Sequence, residues 1–169
     1  MAHEIRTFGD PVLKSRATPV KEFDESLGKL AEEMLKIMRE NDGVGLAANQ
    51  IGRLKRILVA AYEDEGGEMK EFVIVNPKIQ ERSEESEKDV EGCLSLPGMR
   101  MEVERPTAVT VTGQDPSGEP LRVEAEGLLA RIFQHEIDHL DGVLILDRTD
   151  RESRKQALRE MRERQLARG

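Results

Sequence analysis

The stretch FQHEIDHLDG, residues 133–142, decides how the rest of the chain is read. It sets two of the chain's three histidines, His135 and His139, four positions apart around Glu136. Leu128, Ile132, His135 and His139 recur at helical intervals, which puts all four on one face of a helix running from about Gly127 to Gly142. Residues four apart stand on adjacent turns, so two imidazoles there can hold one cation. Glu136 projects to one side, able to reach a metal-bound water without being a ligand itself. Such a water is acidified toward a pKa of about 7, and a neighbouring carboxylate can take its proton and pass it to a leaving group. Asp138 and Asp141 turn off this face and read as solvated or supporting groups.

Two ligands do not make a tight site, so a third is needed. The extended pattern HExxHxxGxxH is followed through Gly142 and then meets Ile145 where a histidine would stand. Glu160 and Glu163 lie downstream, but in a basic amphipathic tail that is a poor setting for a ligand. Cys93, the only cysteine, sits in EGCLS at 91–95. A lone cysteine is more often a small buried hydrophobe; the incomplete histidine pair tips the reading to a thiolate ligand, suited to zinc or ferrous iron. A Cys-His-His set leaves a fourth position for water, the form of a catalytic site.

The bulk numbers agree with an enzyme of modest size. The chain has 169 residues, 37% hydrophobic, 36% charged, with a net charge of −8, which argues against a general or sequence-specific nucleic-acid binder. Residues 148–169 nevertheless carry eight basic and four acidic side chains, a local +4, leaving −12 on the preceding 147. A single cysteine excludes an internal disulfide. No targeting segment is visible, and no run approaches the roughly 18 apolar residues of a membrane span, so the expected setting is the cytoplasm.

Around the central helix, residues 1–23 read as an extended arm. Asp24 is placed to cap a helix to about Asn41, with Leu27, Leu30, Met34, Ile37 and Met38 at helical spacing and Gly43 closing it in a left-handed conformation. GVGLAANQIG reads as neither helix nor strand. RILVAAY and EFVIVNP form strands around EDEGGE, the charged stretch ERSEESEKD leads to EGCLS, and TAVTVTG and PLRVEAEG form two more strands around QDPSG. VLILD reads as a short strand, and Thr149 with Glu152 as the capping box of a last helix striped by Leu158, Met161 and Leu166. The expectation is one α+β domain over residues 1–169: mainly antiparallel sheets around a central metal-binding helix carrying HEIDH, with an N-terminal and a C-terminal helix.

Three segments, GVGLAANQ at 43–50, EGCLS at 91–95 and QHEIDH at 134–139, resemble in order and spacing the three signature motifs of the peptide deformylase family. The resemblance extends from GDPVL through VNPKI to the tail. It implies an enzyme that removes the formyl group from the N-terminal formylmethionine of nascent polypeptides. By position it implies Cys93, His135 and His139 as ligands of one divalent metal per chain. Ferrous iron is the expected ion, with zinc, nickel or cobalt able to substitute. Glu136 becomes the general acid/base, and the Gln50 amide with the Leu94 N–H the oxyanion donors. Gly45 becomes part of a strand-like edge for the peptide. Val44, Leu128 and Ile132 would line a methionine pocket, with Arg131 at its flank and Arg100 near the channel. The basic tail reads either as a solvated helix packed lightly on the domain or, given the resemblance, as a docking element for the ribosome. The competing reading is a general HExxH zinc metallopeptidase.

Overall fold

In the computed structural model, which describes residues 4–168, the fold is α+β with every strand pairing antiparallel. A five-stranded sheet runs β1 (Gly45–Ala47), β2 (Ile57–Glu63), β3 (Met69–Arg82), β6 (Ala108–Gln114), β7 (Pro120–Glu126), and β4 (Ser86–Gly92) pairs with β5 (Arg100–Pro106) in a separate ribbon. Residues 1–3 of the N-terminal arm and residue 169 lie outside the described residues.

Strand β2 explains the layering. Its apolar run alternates in space, because successive side chains leave opposite faces of a strand. Ile57, Val59 and Ala61 pack with Leu27, Leu30, Met34 and Met38 of α1 (Glu25–Glu40). Leu58 and Ala60 pack with Ala130, Phe133 and Ile137 of α2 (Gly127–Leu140). The sheet is thus covered on both faces, which is why β2 reads as continuous apolar rather than alternating. Helix α2 lies between this sheet and the β4–β5 ribbon, and is buried along most of its length.

Helix α1 is closed by a side-chain cap at its start and by backbone bonds at its end. Asp24 caps α1, accepting from the Leu27 N–H. At the other end the Asp42 N–H reaches Arg39 O and the Gly43 N–H reaches Met38 O. It is Asp42, at φ 53°, that takes the left-handed position expected of Gly43. Gly43 serves packing instead: a Cβ there would stand 2.9 Å from Leu94 Cδ1. Gly142, at φ 75°, does close α2 in the left-handed conformation, with no room for a side chain over Lys14 O.

Several segments depart from the sequence reading. GVGLAANQIG contains edge strand β1 and a 3-10 turn, Ala48–Ile51; small side chains gave no periodic signal for either. The charged stretch is the end of β3, a turn and β4, whose mostly exposed faces carry charge where strand recognition looks for apolar alternation. VLILD forms a helical turn, α3 (Ile145–Arg148), with Leu144, Ile145 and Leu146 all buried against Leu13, Leu96, Met99 and Met101. A short apolar run does not distinguish strand from buried helix. The last helix, α4 (Arg151–Arg168), is capped by Asp150, which accepts from the Ser153 N–H, whereas Thr149 donates to Glu102 O. On α4, Ala157, Leu158 and Met161 pack on this third cluster and Leu166 is exposed. Among the described residues no helix is long and apolar enough to cross a membrane.

Candidate functional site

Helix α2 carries His135 and Glu136 into a cavity of about 450 Å³ between β1, the ribbon and the segment after β4, with His139 buried one turn further along. Cys93 begins that segment, in a turn closed by the Leu96 N–H on Cys93 O. Its Sγ lies 3.3 Å from His139 Nε2, which lies 3.2 Å from His135 Nε2. The three donor atoms fall within 4.8 Å of one another, and among the described residues no other group of His, Cys, Asp or Glu converges in this way. One thiolate and two imidazoles are a donor set suited to a borderline or soft divalent metal. Of the other third-ligand candidates, Ile145 is buried in the core and Glu160 and Glu163 are exposed on α4.

Glu136 is 4% exposed, its Oε2 4.0 Å from His135 Nε2 and its Oε1 buried without a hydrogen-bond partner among the described residues. Burial pushes its carboxyl up to about 7; His135 and Arg105 oppose this, while Glu91 and Asp138 reinforce it. That range suits a group that both takes and returns a proton near neutrality. The carboxylate lies directly against Gly45, where a Cβ would come within 2.5 Å of Oε2. The glycine in GVG therefore makes room for the acid on α2. Strand β1 is also an edge strand, paired only with β2, and Val44 and Gly45 line the cavity.

The Gln50 amide is held on both sides. Its Oε1 accepts from the Ala47 N–H at 2.9 Å, and its Nε2 donates to Ser95 Oγ at 3.1 Å and lies 3.7 Å from Cys93 Sγ. The donor end therefore faces the cysteine. Leu94, Arg100, Leu128 and Ile132 line the same cavity, Leu128 exposed and Ile132 buried. All eleven sequence-predicted site residues thus border one cavity or one donor cluster.

What sequence reasoning passed over is the group behind His135. Glu91 accepts from His135 Nδ1 at 2.9 Å, from Arg105 at 2.6 and 2.9 Å, and from Arg131 at 2.6 Å. Burial alone would raise its carboxyl, but the His135 and Arg105 hydrogen bonds prevail and bring it down to about 2. An ionised Glu91 keeps the proton on Nδ1 and turns the Nε2 lone pair toward Cys93 and His139. The two imidazoles titrate apart. Burial opposes the charged form in both. Glu136, Cys93 and Glu91 nonetheless hold His135 up, whereas His135 and Arg105 push His139 further down. Arg131, expected at the pocket flank, does line it, but its guanidinium is engaged by Glu91, Val103 O and Glu87 O. Asp138 binds Arg105 and Arg148, and Asp141 binds Arg56, so neither is merely solvated. Parity was the available signal for Arg105: it follows Met101 and Val103 on the inward face of β5.

The polypeptide deformylase family model matches residues 2–155. The peptide deformylase of Dictyoglomus thermophilum is 47% identical over 155 residues, covering 92% of this chain and 97% of that protein. The crystal structure of peptide deformylase from Thermotoga maritima superposes with a TM-score of 0.82 at 47% identity, covering 89% of this chain and 99% of that one. The Thermus thermophilus enzyme superposes at 0.87 with 44% identity over 96% and 95% of the two chains.

Proposed function

The chain belongs to the polypeptide deformylase family, a family of enzymes, and on that footing we propose that it hydrolyses the N-formyl group of formylmethionyl nascent peptides, releasing formate. The observation that carries the reading is the convergence of Cys93, His135 and His139 beside a buried Glu136 in a cavity bordered by a free strand edge.

Cys93, His135 and His139 would hold one divalent ion, ferrous iron by family expectation, with zinc, nickel or cobalt able to replace it. Such an ion supplies Lewis-acid chemistry and lowers the pKa of water. Glu136 takes a proton as water adds to the formyl carbon. It delivers that proton to the amide nitrogen as the C–N bond breaks, so that formate and a free amine leave. Negative charge developing on the formyl oxygen is met by the Gln50 Nε2, on an amide held by Ala47 and Ser95, and by the Leu94 N–H. The unpaired edge at Gly45 pairs with the extended peptide backbone. Val44, Leu128 and Ile132 receive the methionine side chain, and Arg100 stands along the channel. Glu91 holds His135 in the ligating tautomer.

Residues 1–169 act as one catalytic domain in the cytoplasm, with the basic face of α4 attracted to ribosomal phosphates. The metallopeptidase alternative is not favoured, because among the described residues no downstream glutamate joins the two histidines, whereas Cys93 does. The test is formate release from a short N-formylmethionyl peptide by protein purified without oxygen. Release that is lost on chelation supports the reading. No release from protein carrying one metal per chain rejects it.

A further inference from the structure

The segment Cys93–Met99 joins β4 to β5 and forms one wall of the cavity, with Leu96, Gly98, Met99 and the first residue of β5, Arg100, all lining it. Two successive turns shape it: the Leu96 N–H bonds Cys93 O at 2.9 Å and the Met99 N–H bonds Leu96 O at 3.0 Å. Its inner end is tied down by the Phe8 N–H on Ser95 O and by the Gln50 amide on Ser95 Oγ. Its outer corner, Pro97–Gly98, belongs to no strand, and proline has no N–H to give. The hydrogen bond on that corner comes from α4: Arg164 Nη1 donates to Pro97 O at 3.0 Å.

The fit around this bond is close. Gly98 has φ 75°, a conformation that favours glycine, and a Cβ there would stand 2.2 Å from Arg164 Nη1 and 3.1 Å from its Cζ. The guanidinium therefore fills the space over the glycine. Arg164 follows Met161 by three positions, and Met161, Leu158 and Ala157 pack in the cluster that holds Leu96 and Met99. Helix α4 thus grips the wall at its apolar base and at its outer corner.

We propose that Arg164 is a positioning residue for the substrate channel, closing the Pro97–Gly98 corner so that Met99 and Arg100 stand in a fixed wall. The proposal rests on the deformylase reading for its kinetic consequence. Arg164 touches neither Glu136 nor any of the three metal donors, so its loss acts on peptide binding and not on the chemical step.

The experiment compares wild type, Arg164→Ala and Arg164→Lys, each loaded with metal, on a formylated tripeptide, with amide hydrogen exchange across residues 96–100. Arg164→Ala raises KM about three- to tenfold, the scale of one lost hydrogen bond, leaves kcat within about twofold and metal content unchanged, and speeds exchange at Met99. Arg164→Lys, which can still donate to Pro97 O, recovers at least half of the change. Wild-type KM and wild-type Met99 exchange in Arg164→Ala would overturn the proposal, as would a fall of kcat and metal content together. Absence of any formate release by wild type would reject the deformylase reading instead, and the exchange comparison would still decide whether Arg164 holds the corner.

Discussion

Gly45→Ala is the smallest change that separates the position of Glu136 from its presence. Gly45 is not among the glycines at positive φ, so alanine meets no backbone penalty there. The added Cβ would lie 2.5 Å from Glu136 Oε2 and 3.0 Å from its Cδ and Cγ. Ordinary contact begins near 3.4 Å, so the carboxylate and the strand must part by about 0.9 Å. Glu136 cannot yield freely, since it is buried on a helix packed between two sheets. A displacement of about 1 Å in a catalytic group can cost on the order of 10²-fold in rate, or about 2.7 kcal/mol. Overpacking at this position costs about 1–3 kcal/mol of stability, so the fold persists and the metal donors stay in place. The assay is formate release at saturating peptide, which isolates kcat from any loss of edge pairing, together with metal content and a thermal melt. The expected result is a kcat lowered about 100-fold with one metal retained per chain. In the Glu136→Asp background, where the carboxylate is drawn back by one methylene, the further effect of Gly45→Ala should shrink, because neighbours that compete for one space are not additive. A kcat within about threefold of wild type would refute the argument that Gly45 sets the carboxylate's position.

Glu91→Ala takes from the buried Arg105 one of its two carboxylate partners, leaving Asp138, and should cost about 1–3 kcal/mol in denaturant unfolding. With the His135 Nδ1 partner gone, metal affinity measured by chelator competition should fall about 10- to 100-fold; unchanged affinity would remove Glu91 from the site. Glu136→Gln should leave metal content near wild type while abolishing formate release. In chelator-stripped protein its effect depends on pH. The folded-state pKa of about 7 exceeds the ordinary 4.5, so wild type loses stability as pH rises from 4.5 to 7. At pH 8 the variant should therefore be the more stable by on the order of 3 kcal/mol, with the difference gone by pH 4; an equal difference at both would contradict the shift. Reversing the exposed charges Arg151, Arg159 and Arg162 to glutamate should weaken salt-sensitive co-sedimentation with ribosomes while sparing hydrolysis of a short peptide, and unchanged co-sedimentation would dismiss α4 as a docking element. Point changes suit this test better than truncation, because Ala157 and Met161 belong to the core.

The parts of the site legible in the sequence are those whose chemistry is written in residue type and local spacing. His135 and His139 share a helical face, and no other cysteine competes with Cys93 as the third donor. The illegible parts arise where residues far apart in sequence meet. Glu91 and Arg105 are 14 positions apart on paired strands, and Glu91 and Arg131 are 40 apart. Each reads alone as one more charge in a chain that is 36% charged. The ribbon that brings them together was hidden for the same reason: β4 is SEKDVEG, whose only buried residue is Glu91 itself. In most strands a buried position announces itself by an apolar side chain. Here it is a carboxylate, neutralised by two arginines and joined to a histidine of the donor cluster. The lapse in apolar alternation at Glu91 is therefore the mark of the site's support. In a chain with an incomplete metal motif, an acid two positions before a candidate cysteine ligand is the residue to examine for the histidine's orienting partner.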